Sequence, residues 1–471
     1  MIGMVKLAEI IEQKRELLIS VSDQIWDYAE TGFEEYRSAD LLCTTLEKEG
    51  FAVERGVGGI QTAFIGSYGS GSPVVAIMGE FDALSGMSQQ GGVASPTPLA
   101  KEGNGHGCGH NLLGTGALAA AIALRNQMIE HNLPGTIRYY GCPGEEIGSG
   151  KTFMVRAGLF DDVDFALCWH PSTQNSVMST SSLACYEVTF KFTGKSSHAA
   201  ASPQLGRSAL DAVELMNVGV NYLREHIISD ARVHYAVTNT GGISPNVVQA
   251  TGEVLYLIRA PLVSQTEEIY QRICNVARGA ALMTGTEVEI QFISALTNLV
   301  PNTTLETIMH KSFSQLGVPI HNEQEIQFAS QIRATLSPED KAEDIRFDKE
   351  LAGKELSDKL NPYRESAVIL PGSTDVGDVR WVVPTAQCMT ACEALGTPFH
   401  SWQMVAQGMT SIAHKGMLHA GKVMAATAWE VMQKPEIIAK AKAELKERLN
   451  GEVYRCPIPP EVTHYEVVKK N

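Results

Sequence analysis

Cys108, His110, Glu146 and His170 bring together a thiolate, two imidazoles and a carboxylate. Three of them lie in two glycine-containing stretches, Gly105-His106-Gly107-Cys108-Gly109-His110-Asn111 and Gly144-Glu145-Glu146. This donor mixture suits a borderline transition metal such as zinc or manganese. Cys108 and His110 are two residues apart, so in an extended loop both face the same side, and Gly107 and Gly109 let the backbone approach an ion. Glu145 and Glu146 diverge on a turn, so one can ligate while the other faces the bound water. A free carboxylate beside a metal-bound water is the usual general base for hydrolysis. Two neighbouring carboxylates are also less costly beside a dication, whose charge offsets their repulsion. The pattern predicts a metallohydrolase.

Each of these residues also has a plainer use. A lone cysteine or histidine is most often a core side chain, and an acidic pair is common on solvated surfaces. Asp82 can simply cap a helix, although it could also orient a metal ligand from behind. His170 before Pro171 reads as a strand-end residue, and His400, in the loop Gly396-Thr397-Pro398-Phe399-His400, has no assignment on its own. A phosphate-binding glycine loop, and with it a nucleotide-binding dehydrogenase, is disfavoured because Leu112 stands where a third glycine is needed. What favours chemistry is company and position within the fold.

Residues 5–50 read as two helices around the turn Glu30-Thr31-Gly32-Phe33. Val74–Met78, Thr136–Tyr140 and Asp164–Trp169 read as strands, with a closely packed small-residue helix from Gly114 to Leu124 and another from about Lys151. Strands alternating with helices predict an α/β sheet of mostly parallel strands. Asp82, Glu145, Glu146 and His170 then fall at strand C-terminal ends, where open α/β sheets place their ligands. After Thr180 the pattern changes. Tyr186–Phe192 alternates as a half-solvated strand, followed by helix 208–225, strands 233–237 and 253–259, helix 266–283 and strand 287–293. That order predicts an inserted α+β domain over 183–297, with 1–182 and 298–471 forming the rest. Residues 337–366 read as a charged, partly helical excursion, Gly372–Asp378 as leading into strands, and Val405–Met432 as one long helical region.

The 471 residues carry a net charge of -15, with no cluster of lysines and arginines. That balance argues against nucleic acid or an anionic membrane as partner, while leaving room for a small anionic substrate held by one arginine. No run approaches the roughly 20 apolar residues of a membrane-spanning helix. Nine scattered cysteines and the absence of a leader pattern lead us to expect a reduced, cytoplasmic protein.

Taken together, Glu80-Phe81-Asp82-Ala83-Leu84, Gly107-Cys108-Gly109-His110-Asn111, Glu145-Glu146, His170, Gly194-Lys195-Ser196-Ser197-His198-Ala199, Gly242–Val248 and His400 resemble the M20 metallopeptidase family, in particular its amidohydrolase branch. The resemblance implies a zinc-aminopeptidase-like, mixed-sheet catalytic domain sandwiched by helices, with the insert as a lid and dimerisation domain. It implies two divalent ions, manganese or zinc, held by Cys108, His110, Glu146, His170 and His400. The thiolate would bridge the ions, and Glu145 would be the general base. His198 matches a lid histidine that stabilises the oxyanion in a neighbouring active site; Asn246 and Arg259 match residues that hold the substrate carboxylate. The implied substrate is a small N-acyl amino acid, favoured as an aromatic acyl-glutamate such as p-aminobenzoyl-glutamate. A dipeptidase or aminoacylase of the same family is the alternative. The implied assembly is a homodimer through the lid, the alternative being a partner-dependent subunit of a hetero-oligomeric hydrolase. Two positions depart from the family pattern: Asn111 stands where many members have Asp, and Glu80 where other branches have a ligand histidine.

Overall fold

The computed structural model describes residues 2–464, and for Ile2 and residues 343–347 the backbone alone. Residues 465–471, counted above with the metal-binding part, lie outside the described residues. Among the described residues the chain packs as two compact units, 2–180 with 300–366 and 379–454, and 181–299 with 367–378 and 455–464.

The first unit is built on a seven-stranded sheet in the order Ala52–Arg55, Phe64–Ser70, Gly135–Cys142, Val74–Glu80, Phe165–Ser172, Thr385–Ala391, Ser176–Met178. Its four central neighbours pair parallel and its edges antiparallel, so the sheet is mixed. Side chains alternate faces along a strand. Val75, Ile77 and Phe81, Ile137 and Tyr139, and Phe165, Leu167 and Trp169 all enter one apolar core with the helices His110–His131 and Ser411–Met432. The intervening positions, among them Glu80, Asp82 and His170, point to the other face. Both faces of the central strands are buried, which is why these strands read as continuous apolar runs rather than alternating ones.

His110–His131 lies directly on the sheet because its inner face is small. A Cβ on Gly116 would sit 2.7 Å from the Trp169 ring, and one on Gly421 of the facing helix 2.9 Å from Ala119. By length and composition this helix is apolar enough to cross a membrane, contrary to the expectation that no run approaches such a length; alanine and glycine supply much of it. Its apolar window is 83% buried inside the protein, as suits a core helix.

The second unit is a four-stranded antiparallel sheet ordered Glu287–Leu296, Ala184–Thr193, Thr251–Ala260, Arg232–Asn239. Val188, Phe190, Val254, Tyr256 and Ile258 are buried, as are Met216, Val220, Ile269 and Ile273 of the helices Ala209–Leu223 and Val263–Thr284 that pack against the strands. Segment 367–378, assigned above to the metal-binding part, joins this unit instead. Ile369–Leu370 pairs parallel with Ser181–Ser182, and the Arg259 Nη1 donates to the Pro371 carbonyl at 2.8 Å.

Other local expectations shift. The N-terminal region forms three helices, Ile2–Gln13, Arg15–Tyr28 and Tyr36–Lys48, since the first apolar stripe breaks at Lys14. A buried helix, Val376–Val382, precedes the strand Thr385–Ala391 where strands alone were expected. The long helical region divides into Trp402–Gln407 and Ser411–Met432, each started by a hydroxyl cap, Ser401 accepting from Met404 N and Thr410 from Ala413 N. Residues 337–366 contain the helix Pro338–Phe347.

The Gly116 contact gives a test of the packing. The Trp169 ring cannot retreat freely, because its Nε1 donates to the Leu113 carbonyl at 2.9 Å. Gly116→Val should therefore cost about 1–3 kcal/mol by overpacking, read as a lower urea midpoint at unchanged slope. An unchanged midpoint would contradict this helix–sheet contact.

Candidate metal centre

Asp82 lies two residues past the strand Val74–Glu80, the strand Gly135–Cys142 runs into the turn at Gly144, and Phe165–Ser172 carries His170 near its C-terminal end. The loop between Val74–Glu80 and the core helix supplies Cys108, and His110 opens that helix behind Gly109, whose φ of 76° turns the chain into it. His400 follows the strand Thr385–Ala391. It holds φ 56°, a conformation costly for a non-glycine residue, and its N–H donates to the Gly107 carbonyl at 2.8 Å. One backbone hydrogen bond thus ties the loop of His400 to the loop of Cys108.

All five expected ligands converge. The donor atoms of Cys108, His110 and His170 lie within 4.8 Å of one another, and so do those of Cys108, Glu146 and His400. A third group joins Glu80, His110 and Glu145. Cys108 Sγ is 3.4 Å from His170 Nε2, and His400 Nε2 is 3.4 Å from Glu146 Oε2.

The hydrogen bonds behind the donors decide which atoms face inward. His110 Nδ1 donates to Asp82 Oδ1 at 2.8 Å, so its Nε2 points to Glu80 at 3.3 Å and Glu146 at 3.9 Å. His170 Nδ1 donates to the Pro171 carbonyl at 2.7 Å, which leaves its Nε2 lone pair facing Cys108. His110 Nε2 and Glu146 Oε1 are both buried with no hydrogen-bond partner. Buried polar atoms are rarely left so, and here they are aimed together with a thiol and a second imidazole: the residues fit a transition metal.

The electrostatics agree. Burial, then the charge of Glu146, raises the Cys108 thiol well above its ordinary value. Such a thiol ionises only beside strong positive charge, which a coordinated dication supplies. Burial alone would raise the Glu146 carboxyl, but His400 and His110 hold it down at about 2.

Several neighbours were not foreseen as site residues. Glu80, noted only as a departure from family pattern, is buried with Oε1 2.6 Å from the Nζ of Lys151, itself fully buried. Nothing in the sequence around Lys151 distinguishes it from a helix-start lysine. His106, in the same glycine-rich stretch as Cys108, turns away and bonds the Ile25 carbonyl at 3.0 Å. Asn111 donates to Ser22 Oγ and the Gly408 carbonyl, so the departure at that position serves packing. His198, Asn246 and Arg259 lie in the second unit. His198 is exposed and its Nδ1 accepts from the N–H groups of Ala200 and Ala201; Asn246 is exposed and its carbonyl accepts from Ala199 N.

The model of peptidase family M20/M25/M40 matches residues 76–460. The chain belongs to this family. It is 50% identical over 467 residues to one of the subunits of p-aminobenzoyl-glutamate hydrolase of Escherichia coli (strain K12), covering 97% of both chains. It is 29% identical to Xaa-Arg dipeptidase of Mus musculus, covering 95% of this chain and 93% of that one. The crystal structure of a Bacillus subtilis M20 family member, described as a dinuclear metal-binding peptidase, shares the fold. Its TM-score is 0.58 at 17% identity, over 90% of this chain and 99% of that one. With the metal-suited donor cluster, family membership makes the chain an M20 hydrolase.

Asp82 offers the direct test of the site's wiring. Asp82→Asn keeps the shape but removes the charge that fixes His110, so metal affinity in stripped protein should fall about 10–100-fold while the fold is kept. Equal affinity in calorimetric titration would sink this role.

Proposed function

We propose that this chain hydrolyses the amide bond of an N-acyl amino acid at a two-ion centre held by Cys108, His110, Glu146, His170 and His400. The observation that carries the reading is the meeting of two donor triads at one residue, Cys108, beside a further carboxylate, Glu145. A thiolate common to both triads would let these five residues hold two ions. Manganese or zinc bound there supplies Lewis acidity, polarising the scissile carbonyl and lowering the pKa of water.

The chain's own residues divide the remaining work. Glu145 takes the proton of the attacking water and passes it to the leaving nitrogen. His198 donates to the carbonyl oxygen as charge develops on it, and Asn246 and Arg259 hold the substrate's α-carboxylate.

An aromatic acyl-glutamate such as p-aminobenzoyl-glutamate is the favoured substrate, supported by the 50% identity to a hydrolase named for it. Phe399 supports the aromatic preference. It is 47% exposed and meets the His170 ring edge-to-face with centroids 5.5 Å apart, leaving an aromatic surface beside the donors. The Xaa-Arg dipeptidase likeness keeps dipeptides as the second substrate class to assay.

Homodimerisation through the second unit is part of the same reading. Leu215, Val218 and Tyr222 form an exposed stripe on Ala209–Leu223, and Arg232–Asn239 is the edge strand next to Thr251–Ala260, with an exposed face. A hetero-oligomer with a homologous subunit is the alternative, supported by the Escherichia coli relative, which is named as one subunit of its hydrolase. A cytoplasmic location is supported by the thiols Cys43, Cys168, Cys185, Cys274, Cys388 and Cys392, all buried outside disulfides.

Release of p-aminobenzoate by the purified chain with added manganese or zinc tests the substrate, with Xaa-Arg dipeptides in parallel. Glu145→Gln should keep the metal content of the parent and lose about 10²–10⁴-fold in kcat. Turnover undiminished in that variant would remove Glu145 from the mechanism.

A further inference from the structure

We propose that Glu35 is a positioning residue that holds the turn carrying Glu145 and Glu146 in register with the donor cluster. The proposal rests on the hydrolase reading above. Glu35 is fully buried, far from this site in sequence, and its Oε1 accepts from the Gly144 N–H at 2.8 Å. Asp82 Oδ2 accepts from the Glu146 N–H at the same distance. Two buried carboxyls therefore clamp the backbone N–H groups on either side of Glu145. With both neighbouring amides fixed, the direction in which Glu145 leaves the turn is fixed as well.

The surroundings make this a built contact. Gly144 holds φ 65°, and a Cβ there would lie 2.8 Å from the Phe33 ring. A Cβ on Gly32 would meet the Gly144 Cα at 2.9 Å. The turn at residues 30–33 is thus pressed against the turn at 144–147. The same segment reaches the Asp82 loop, where the Ala83 N–H donates to the Glu30 carbonyl at 2.8 Å. One short stretch, Glu30–Glu35, braces both loops that carry carboxylates into the site.

The surroundings of Glu35 favour its neutral form. Burial, then the charge of Asp82, pushes its carboxyl up to about 8. Its second oxygen is buried toward Thr62, which with the Gly144 N–H works against that rise. Glutamine is then its near match in shape and charge. Aspartate is one methylene too short to reach Gly144, yet it remains a favoured residue at the start of the helix Tyr36–Lys48, where Glu35 sits.

The test compares Glu35→Gln and Glu35→Asp with the parent by thermal melting, Mn²⁺ affinity of the stripped protein, and kcat and KM, all well below the melting temperatures. Glu35→Gln should stay within about 3-fold of the parent throughout. Glu35→Asp should remain folded but lose about 10–100-fold in Mn²⁺ affinity and kcat, with KM little changed. A merely structural role would lower the melting temperature of Glu35→Asp and leave affinity and kcat of the folded protein alone; that result overturns the proposal. So does a Glu35→Gln variant as impaired as Glu35→Asp. A parent chain without turnover on its own would favour the partner-dependent reading above, and the Mn²⁺ affinities of the two variants would then decide this inference by themselves.

Discussion

The Asp82 carboxylate carries the candidate site. One oxygen accepts from His110 Nδ1 and the other from the Glu146 N–H, both at 2.8 Å. The first bond fixes the tautomer and aim of an imidazole at the start of the core helix. The second fixes the turn that bears two glutamates after a neighbouring strand. A single buried side chain at a strand end therefore sets the distance between donors that come from separate loops. Ligands on loops are precise only when something rigid holds them, and here that is the central parallel strands with both faces buried.

The same physics explains why the cluster tolerates its own charges. Glu80, Asp82, Glu145 and Glu146 crowd one region with Glu35 close by, and three of these five show how the repulsion is answered. Glu80 pairs with the buried Lys151, Glu146 with His400, and burial raises the Glu35 carboxyl toward its neutral form. Bound dications would offset what remains. A Lys151 lost without its partner would leave Glu80 uncompensated, which is why a buried pair of this kind is costly to break from one side.

Much of this was legible in the sequence because it is local. Cys108 and His110 share one loop with flanking glycines, Glu145 and Glu146 share one turn, and strand-end positions followed from apolar runs. The inserted unit was legible because its sheet is solvated on one face, so Tyr186–Phe192 alternates visibly. His400 was different: it had no local signal and came only from the family resemblance. Glu35, Lys151 and Phe399 act through proximity between residues far apart in the chain, which neither spacing nor composition reports. The break at Gly408–Thr410 was hidden because the helices on both sides keep the same apolar pattern, and the two-residue strand Ile369–Leu370 is too short to show a period.

The central claim is that hydrolysis depends on ions held by the Cys108-centred cluster. Stripping the purified chain with a chelator and titrating manganese or zinc back, while following both bound metal and p-aminobenzoate release, tests it most directly. Release should vanish in the stripped protein and return in step with binding, saturating at two ions per chain. Release that persists after the metal is gone would contradict it.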